Sequence, residues 1–156
     1  MIPYEGWDRE YQQNKDEYLE LFDNFMSQSN YENCEQFEQD FAQLIGRKYA
    51  VSVANATDAL HFSLRSRNIG VGDEVLVTDF SWISTSSCIS MVGATPVFCD
   101  IDATTCHISF ESIKRMTTPK TKALIYTHLF GNMSDTKHIE EFCKDNGIMF
   151  IEDAAQ

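Results

Sequence analysis

Apolar residues recur at helical spacing in the first third of the chain and in short runs after it. Over 14–27, Tyr18, Leu21, Phe22, Phe25 and Met26 fall on one face and predict an amphipathic helix, with Asn14 and Glu17 placed to cap its start. A second helix is predicted over 35–45, where Phe37, Phe41, Leu44 and Ile45 share a face and Gly46 can take a left-handed turn at the end. From Tyr49 the rhythm changes to apolar runs alternating with helical segments, the signature of βαβ units. Strands are predicted near 49–53, 74–78, 96–99, 123–127 and 148–152, and helices near 57–68, 83–91, 109–117 and 134–146. Thr57, Ser109 and Ser134 stand where helices need N-caps, and Gly70, Gly93 and Gly147 where they need C-terminal turns. The fold class expected is α/β, a mainly parallel sheet with flanking helices. A helical arm over 1–46 precedes a body over 47–156.

A length of 156 residues suffices for one domain with a real core. The formal charge of −12 is concentrated at the start: residues 1–45 hold eleven acids against Arg9 and Lys15. Such a chain repels phosphate backbones and has no basic stripe, which argues against nucleic-acid partners. A phosphorylated small molecule is not excluded, because backbone amides hold phosphate without net positive charge. Five scattered cysteines, never in a Cys-x-x-Cys pair, read as reduced thiols. His61, His107, His128 and His138 show no metal-ligand spacing, so no metal site is assigned. No stretch approaches the ~20 apolar residues of a membrane span, and no basic leader precedes an apolar run. The expectation is a cytoplasmic protein with no membrane partner.

Candidate chemistry gathers at the carboxyl ends of the predicted strands, where open α/β sheets bind ligands. The first strand runs into Asn55-Ala56-Thr57-Asp58, a helix N-terminus that offers free amides and a positive dipole end. Read from the residues alone, Thr57 is an N-cap before it is an anion ligand. Trp82 follows the second strand and can stack on a planar ligand or pack in the core. His128 follows the fourth strand, either as a structural histidine or as a site-lining one. Asp153 ends the last strand beside Glu152. Three groups converging on one edge favour a site over a solvated strand end.

These residues lie in an ordered string of motifs: Asn55-Ala56-Thr57-Asp58-Ala59-Leu60, Val71-Gly72-Asp73-Glu74-Val75, Phe80-Ser81-Trp82, Gly93-Ala94-Thr95-Pro96-Val97, Asp100-Ile101-Asp102, Thr121-Lys122-Ala123, His128-Leu129-Phe130-Gly131 and Glu152-Asp153-Ala154-Ala155-Gln156. In that order they resemble the N-terminal part of the DegT/DnrJ/EryC1/StrS sugar aminotransferases, over nearly the whole chain from Ile2-Pro3 onward. The resemblance implies the aspartate aminotransferase-like large domain (PLP fold type I), here incomplete. It implies pyridoxal 5′-phosphate (PLP) as cofactor, glutamate as amino donor, a nucleotide-linked keto sugar as acceptor and a homodimer. It also implies roles: Ala56 and Thr57 on the cofactor phosphate, Trp82 on its ring, Asp153 on the pyridine nitrogen and Gln156 near the phenolic oxygen.

Two departures stand out. Ala56 occupies the position where the family usually has glycine. The family's cofactor-linking lysine lies downstream of the Asp-Ala-Ala-Gln motif, and Lys120, Lys122, Lys137 and Lys144 match no part of the lysine motif, so no catalytic residue is assigned. The chain is expected to be a fragment that is inactive alone. The alternatives are a non-catalytic cofactor-binding or scaffold remnant, or another fold-type I PLP enzyme. A plain nucleotide-binding module is disfavoured, because no Gly-x-Gly-x-x-Gly follows any strand.

Overall fold

A computed structural model describes residues 7–28 and 32–156, so Ile2-Pro3 lies outside the described residues. The chain divides into two compact units, Met1–Ser52 and Val53–Gln156.

In the first unit, α1 spans Trp7–Gln28 and α2 spans Glu32–Leu44. Asn14, expected to cap a helix, is instead a kink inside a longer one (φ −116°, ψ 16°). Its Nδ2 donates back to the Glu10 carbonyl at 3.2 Å, a local bond of the kind that bends helices. The C-terminal turn of α2 is as the sequence predicts: Gly46 takes φ +64° and the Arg47 N–H closes on the Ala42 carbonyl at 2.8 Å. The apolar stripes of both helices, Phe22, Phe25, Phe37 and Leu44 among them, stay exposed. The strand expected at 49–53 does not form. Tyr49 and Val51 are exposed, and among the described residues no neighbouring strand supplies a ladder, without which β-propensity has nothing to act on. The Ser52 N–H bonds the Glu38 carboxylate at 2.6 Å instead.

The second unit carries the other four predicted strands, β1 (Glu74–Thr78), β2 (Thr95–Cys99), β3 (Thr121–Thr127) and β4 (Met149–Asp153), all parallel in the order β2-β1-β3-β4. Helices α3 (Ala56–Ser66), α4 (Ile83–Met91), α5 (Phe110–Met116) and α6 (Lys137–Asp145) cover the sheet. Because strand side chains alternate, β1, β3 and β4 each feed two cores, whereas edge strand β2 gives Val97 and Cys99 to one and leaves Phe98 exposed. Val75, Val77, Ala123, Ile125 and Ile151 pack with Leu60, Leu64 and Ile89 of α3 and α4. Leu76, Leu124 and Tyr126 pack with Ile113, Ile139 and Cys143 of α5 and α6. Parallel strands buried on both faces must be apolar throughout, which explains the unbroken runs in the sequence.

Helix starts differ from the expectations at two places. Asn55, not Thr57, caps α3: it is extended and its side chain accepts the Asp58 N–H at 2.9 Å, which frees the Thr57 hydroxyl. α6 begins after Thr136 rather than Ser134, whose hydroxyl pairs with Tyr126. Ser109 caps α5 as predicted. Past α3 the left-handed residue is Asn68 (φ +56°), with no such demand on Gly70.

The strand order sets the site. From β1 the chain steps outward to β2, then returns past β1 to β3, so the connections diverge between β1 and β3. At such a switch point the connecting loops part at the carboxyl edge and leave a crevice.

Candidate active site

That crevice is a cleft of about 240 Å³ lined by Ala56, Thr57, Leu60, Ser81, Trp82, Ser84, Thr85, Thr127, Leu129, Asp153, Ala155 and Gln156. Ala56, Thr57, Trp82, Asp153 and Gln156, far apart in the chain, are thus brought together. His128 is not: it is buried behind the cleft wall at 2% exposure.

Asn55 positions the first wall. By capping α3 it leaves Ala56 and Thr57 as the first two helical residues, whose N–H groups have no intrahelical carbonyl to bond. The Thr57 hydroxyl bonds Ser84 Oγ of α4 at 2.8 Å, tying the two helix starts together. Ala56 is not among the residues with positive φ, so its methyl group costs no backbone strain. Trp82 precedes the first turn of α4 in extended conformation with its ring 72% exposed, so it is not a core residue.

Asp153 closes the floor. Thr85, fully buried, donates to its Oδ2 over a long 3.4 Å, and Ser81 Oγ shares a 2.8 Å bond with Thr85 Oγ1. The Ala155 N–H reaches Asp153 Oδ1 at 3.2 Å. Beneath lies Cys88, whose thiol is pushed up to about 11, chiefly by burial and further by the Asp153 charge. Thr127, also in the lining, has a buried hydroxyl with no partner among the described residues.

The turn His128-Leu129-Phe130-Gly131 holds the end of β4 and the residues that follow it. The His128 N–H donates to the Asp153 carbonyl at 3.0 Å and the Phe130 N–H to Gln156 Oε1 at 2.7 Å. Phe130 (φ +58°) and Gly131 (φ +71°) are both left-handed, and a Cβ on Gly131 would stand 3.3 Å from the Gln156 carbonyl oxygen. Since an N–H needs an acceptor, this bond fixes the Gln156 amide with Oε1 toward Phe130 and leaves Nε2 a donor with no partner among the described residues. His128 Nε2 lies 2.9 Å from Glu152 Oε1.

Sequence reasoning missed Ser81, Ser84, Thr85 and Thr127. The signal was present: Ser81, Ser84, Thr85, Ser86 and Ser87 crowd hydroxyls into a segment that must still form a helix.

The sequence profile of the DegT/DnrJ/EryC1/StrS aminotransferase family matches residues 9–156. A pleiotropic regulatory protein of Geobacillus stearothermophilus is 35% identical over 158 residues, covering 99% of this chain and 42% of that protein. Among solved structures, S. venezuelae DesV in complex with a ketimine intermediate is similar at a TM-score of 0.95 and 29% identity, over 99% of this chain and 43% of DesV. Bacillus subtilis ntda with bound cofactor PMP gives 0.84 and 27%, over 90% of this chain and 34% of that one. The chain spans less than half the length of the relatives it matches, and its parallel sheet with flanking helices is that of the aminotransferase fold.

Proposed function

The chain belongs to the DegT/DnrJ/EryC1/StrS aminotransferase family, and on that premise we propose that its cleft binds pyridoxal 5′-phosphate. The whole protein then moves an amino group from glutamate to a nucleotide-linked keto sugar, for polysaccharide or glycoconjugate synthesis. The observation that carries this reading is the convergence in one cleft of a helix N-terminus with free amides, an exposed indole and a strand-end carboxylate.

The residues fit the cofactor's chemistry. Bound PLP supplies an electron sink and carries the amino group between donor and acceptor. Ala56 and Thr57 would hold its phosphate through their amides and the Thr57 hydroxyl, at the positive end of α3. Trp82 would cover the ring. Asp153 would hold a proton at the pyridine nitrogen, and the free Nε2 of Gln156 would donate toward the phenolic oxygen. The unpartnered Thr127 hydroxyl is a polar group the lining leaves to spare. No lysine is in the lining among the described residues; the covalent link is proposed to come from the rest of the protein, as is the homodimer.

The test begins with the 156-residue chain and pyridoxamine 5′-phosphate (PMP), which needs no lysine. Saturable one-to-one binding, followed by tryptophan fluorescence and weakened by Thr57→Ala, is expected. A folded chain that binds neither PMP nor PLP overturns the reading. The regulatory protein of G. stearothermophilus gives a second reading its footing, that of a cofactor-binding protein without catalysis. It predicts PMP binding but no glutamate-dependent formation of 2-oxoglutarate by the complete protein.

A further inference from the structure

Period-two alternation sends the two acids at the end of β4 to opposite sides of the sheet. Asp153 shares a face with Ile151 and the α3/α4 core, whereas Glu152 shares one with Phe150 and the α5/α6 core. On that far side Glu152 Oε1 lies 2.9 Å from Nε2 of buried His128, whose ring stands 5.1 Å from that of Tyr126. A carboxylate only accepts, so Nε2 carries the hydrogen.

We propose that Glu152 and His128 are positioning residues that, from behind the sheet, aim Asp153 and Gln156 into the cleft. The inference rests on the cofactor reading of that cleft. His128 grips two consecutive residues of β4, Glu152 through its ring and Asp153 through its main-chain N–H at 3.0 Å. Turning the strand end about its axis is the motion that would misdirect Asp153, and holding its neighbour on the opposite face blocks that motion. Asp153 lacks strong lateral support of its own, with a 3.4 Å contact from Thr85 and a 3.2 Å bond from the Ala155 amide. Two residues past His128, the same turn holds Gln156 through the Phe130 N–H. His128 Nδ1 is buried without a partner among the described residues, a cost that stability alone does not call for.

The experiment compares variants of the 156-residue chain by PMP titration and by the ¹⁵N resonance of PMP labelled at its pyridine nitrogen. In wild type the bound ring nitrogen is expected to read as protonated. Glu152→Ala is expected to weaken PMP binding roughly tenfold, the loss of one charge-assisted bond, and to move the ring-nitrogen signal toward its unprotonated position. Glu152→Gln, whose Oε1 still accepts from Nε2–H, restores both. Tyr126→Phe, on the same face but outside the pair, behaves as wild type. A folded Glu152→Ala with wild-type affinity and ring-nitrogen signal overturns the proposal, as does an equal loss in Tyr126→Phe. If Glu152→Ala does not fold, Glu152→Asp decides: the charge stays but the acceptor retreats by a methylene, and unchanged PMP binding overturns the proposal. Failure of wild type itself to bind PMP strikes the cofactor reading, and this inference falls with it.

Discussion

Strand β4 hands Ile151 and Asp153 to one side of the sheet and Phe150 and Glu152 to the other, and the two sides use them differently. Over most of their extent the faces are alike, each a dry layer of Leu, Ile and Val against two helices. They part at the carboxyl edge. The α3/α4 side opens into the cleft, where Thr57, Ser81, Ser84 and Thr85 present hydroxyls and Asp153 is only partly covered. On the α5/α6 side the rings of Tyr126, His107 and His128 pack together, with Glu152 bonded to His128, beside a separate hollow of about 320 Å³ lined by His107, Tyr126, Ser134 and His138. The residues proposed to hold the cofactor line the cleft on the α3/α4 side, and the pair proposed to position them lies on the other.

Asp153→Asn breaks the comparison most sharply. In the complete protein, glutamate-dependent formation of 2-oxoglutarate is expected to fall about 10²- to 10⁴-fold, the loss typical when a group that handles a proton or charge in the transition state is removed. An uncharged amide does not hold the ring nitrogen protonated. The thermal midpoint should barely move, because the asparagine Oδ1 can still accept from the Ala155 N–H. Full activity in the variant would take Asp153 out of its role, and a large drop in the midpoint would make it a structural acid.

Alkaline pH tests what the two faces share. Cys88 lies in one core, Cys99 and Cys143 in the other, and burial pushes all three thiols up to about 11 from 9.0. In the unfolded chain they ionise near 9.0, so the folded state binds more protons between the two values. The stability they contribute is fully present below pH 9 and is lost as pH rises toward 11. Two units amount to up to about 3 kcal/mol for each thiol. Urea midpoints at pH 8, 9, 10 and 11 should fall steadily over the last three, and the thiols of exposed Cys34 and Cys106 should react with a disulfide reagent long before the other three. A flat profile would mean that the cores admit water.

The sheet and the cleft differ in how far the sequence revealed them. Val75 to Val77 and Ala123 to Tyr126 could be read as strands because a doubly covered parallel strand leaves no polar position to confuse the period. Tyr49 to Val53 carries the same β-rich composition and forms no strand, because a ladder depends on a neighbour and composition does not name one. Thr57, Trp82 and Asp153 were legible from the residues because each was placed at the edge where ligands bind, whereas Ala56 and Gln156 were legible only through the resemblance of their motifs. Thr127 was not, since a hydroxyl in an apolar strand acquires its meaning only from the element across from it. His128 sat at the right edge but on the other face. A one-residue step along a strand reverses the side, and the register of the strand end decides which.

Trp82→Ala has the smallest expected effect and gives the sharpest separation of binding from packing. The ring lines the cleft, yet it is 72% exposed, so removing it opens no cavity in either core. Stacking on a planar ligand contributes about 0.5–1.5 kcal/mol beyond area burial, which corresponds to roughly a two- to tenfold rise in the PMP dissociation constant. The urea midpoint without ligand should stay where it is, because the backbone at the start of α4 is held by the Thr85 N–H to Trp82 carbonyl bond, which alanine keeps. With Trp82 gone the fluorescence reporter is lost as well, so the titration is read by calorimetry. Weaker PMP binding at an unchanged midpoint assigns the indole to the ligand. Unchanged binding with a lowered midpoint would instead make Trp82 part of the packing and move the boundary between the two uses of the sheet edge one residue into α4.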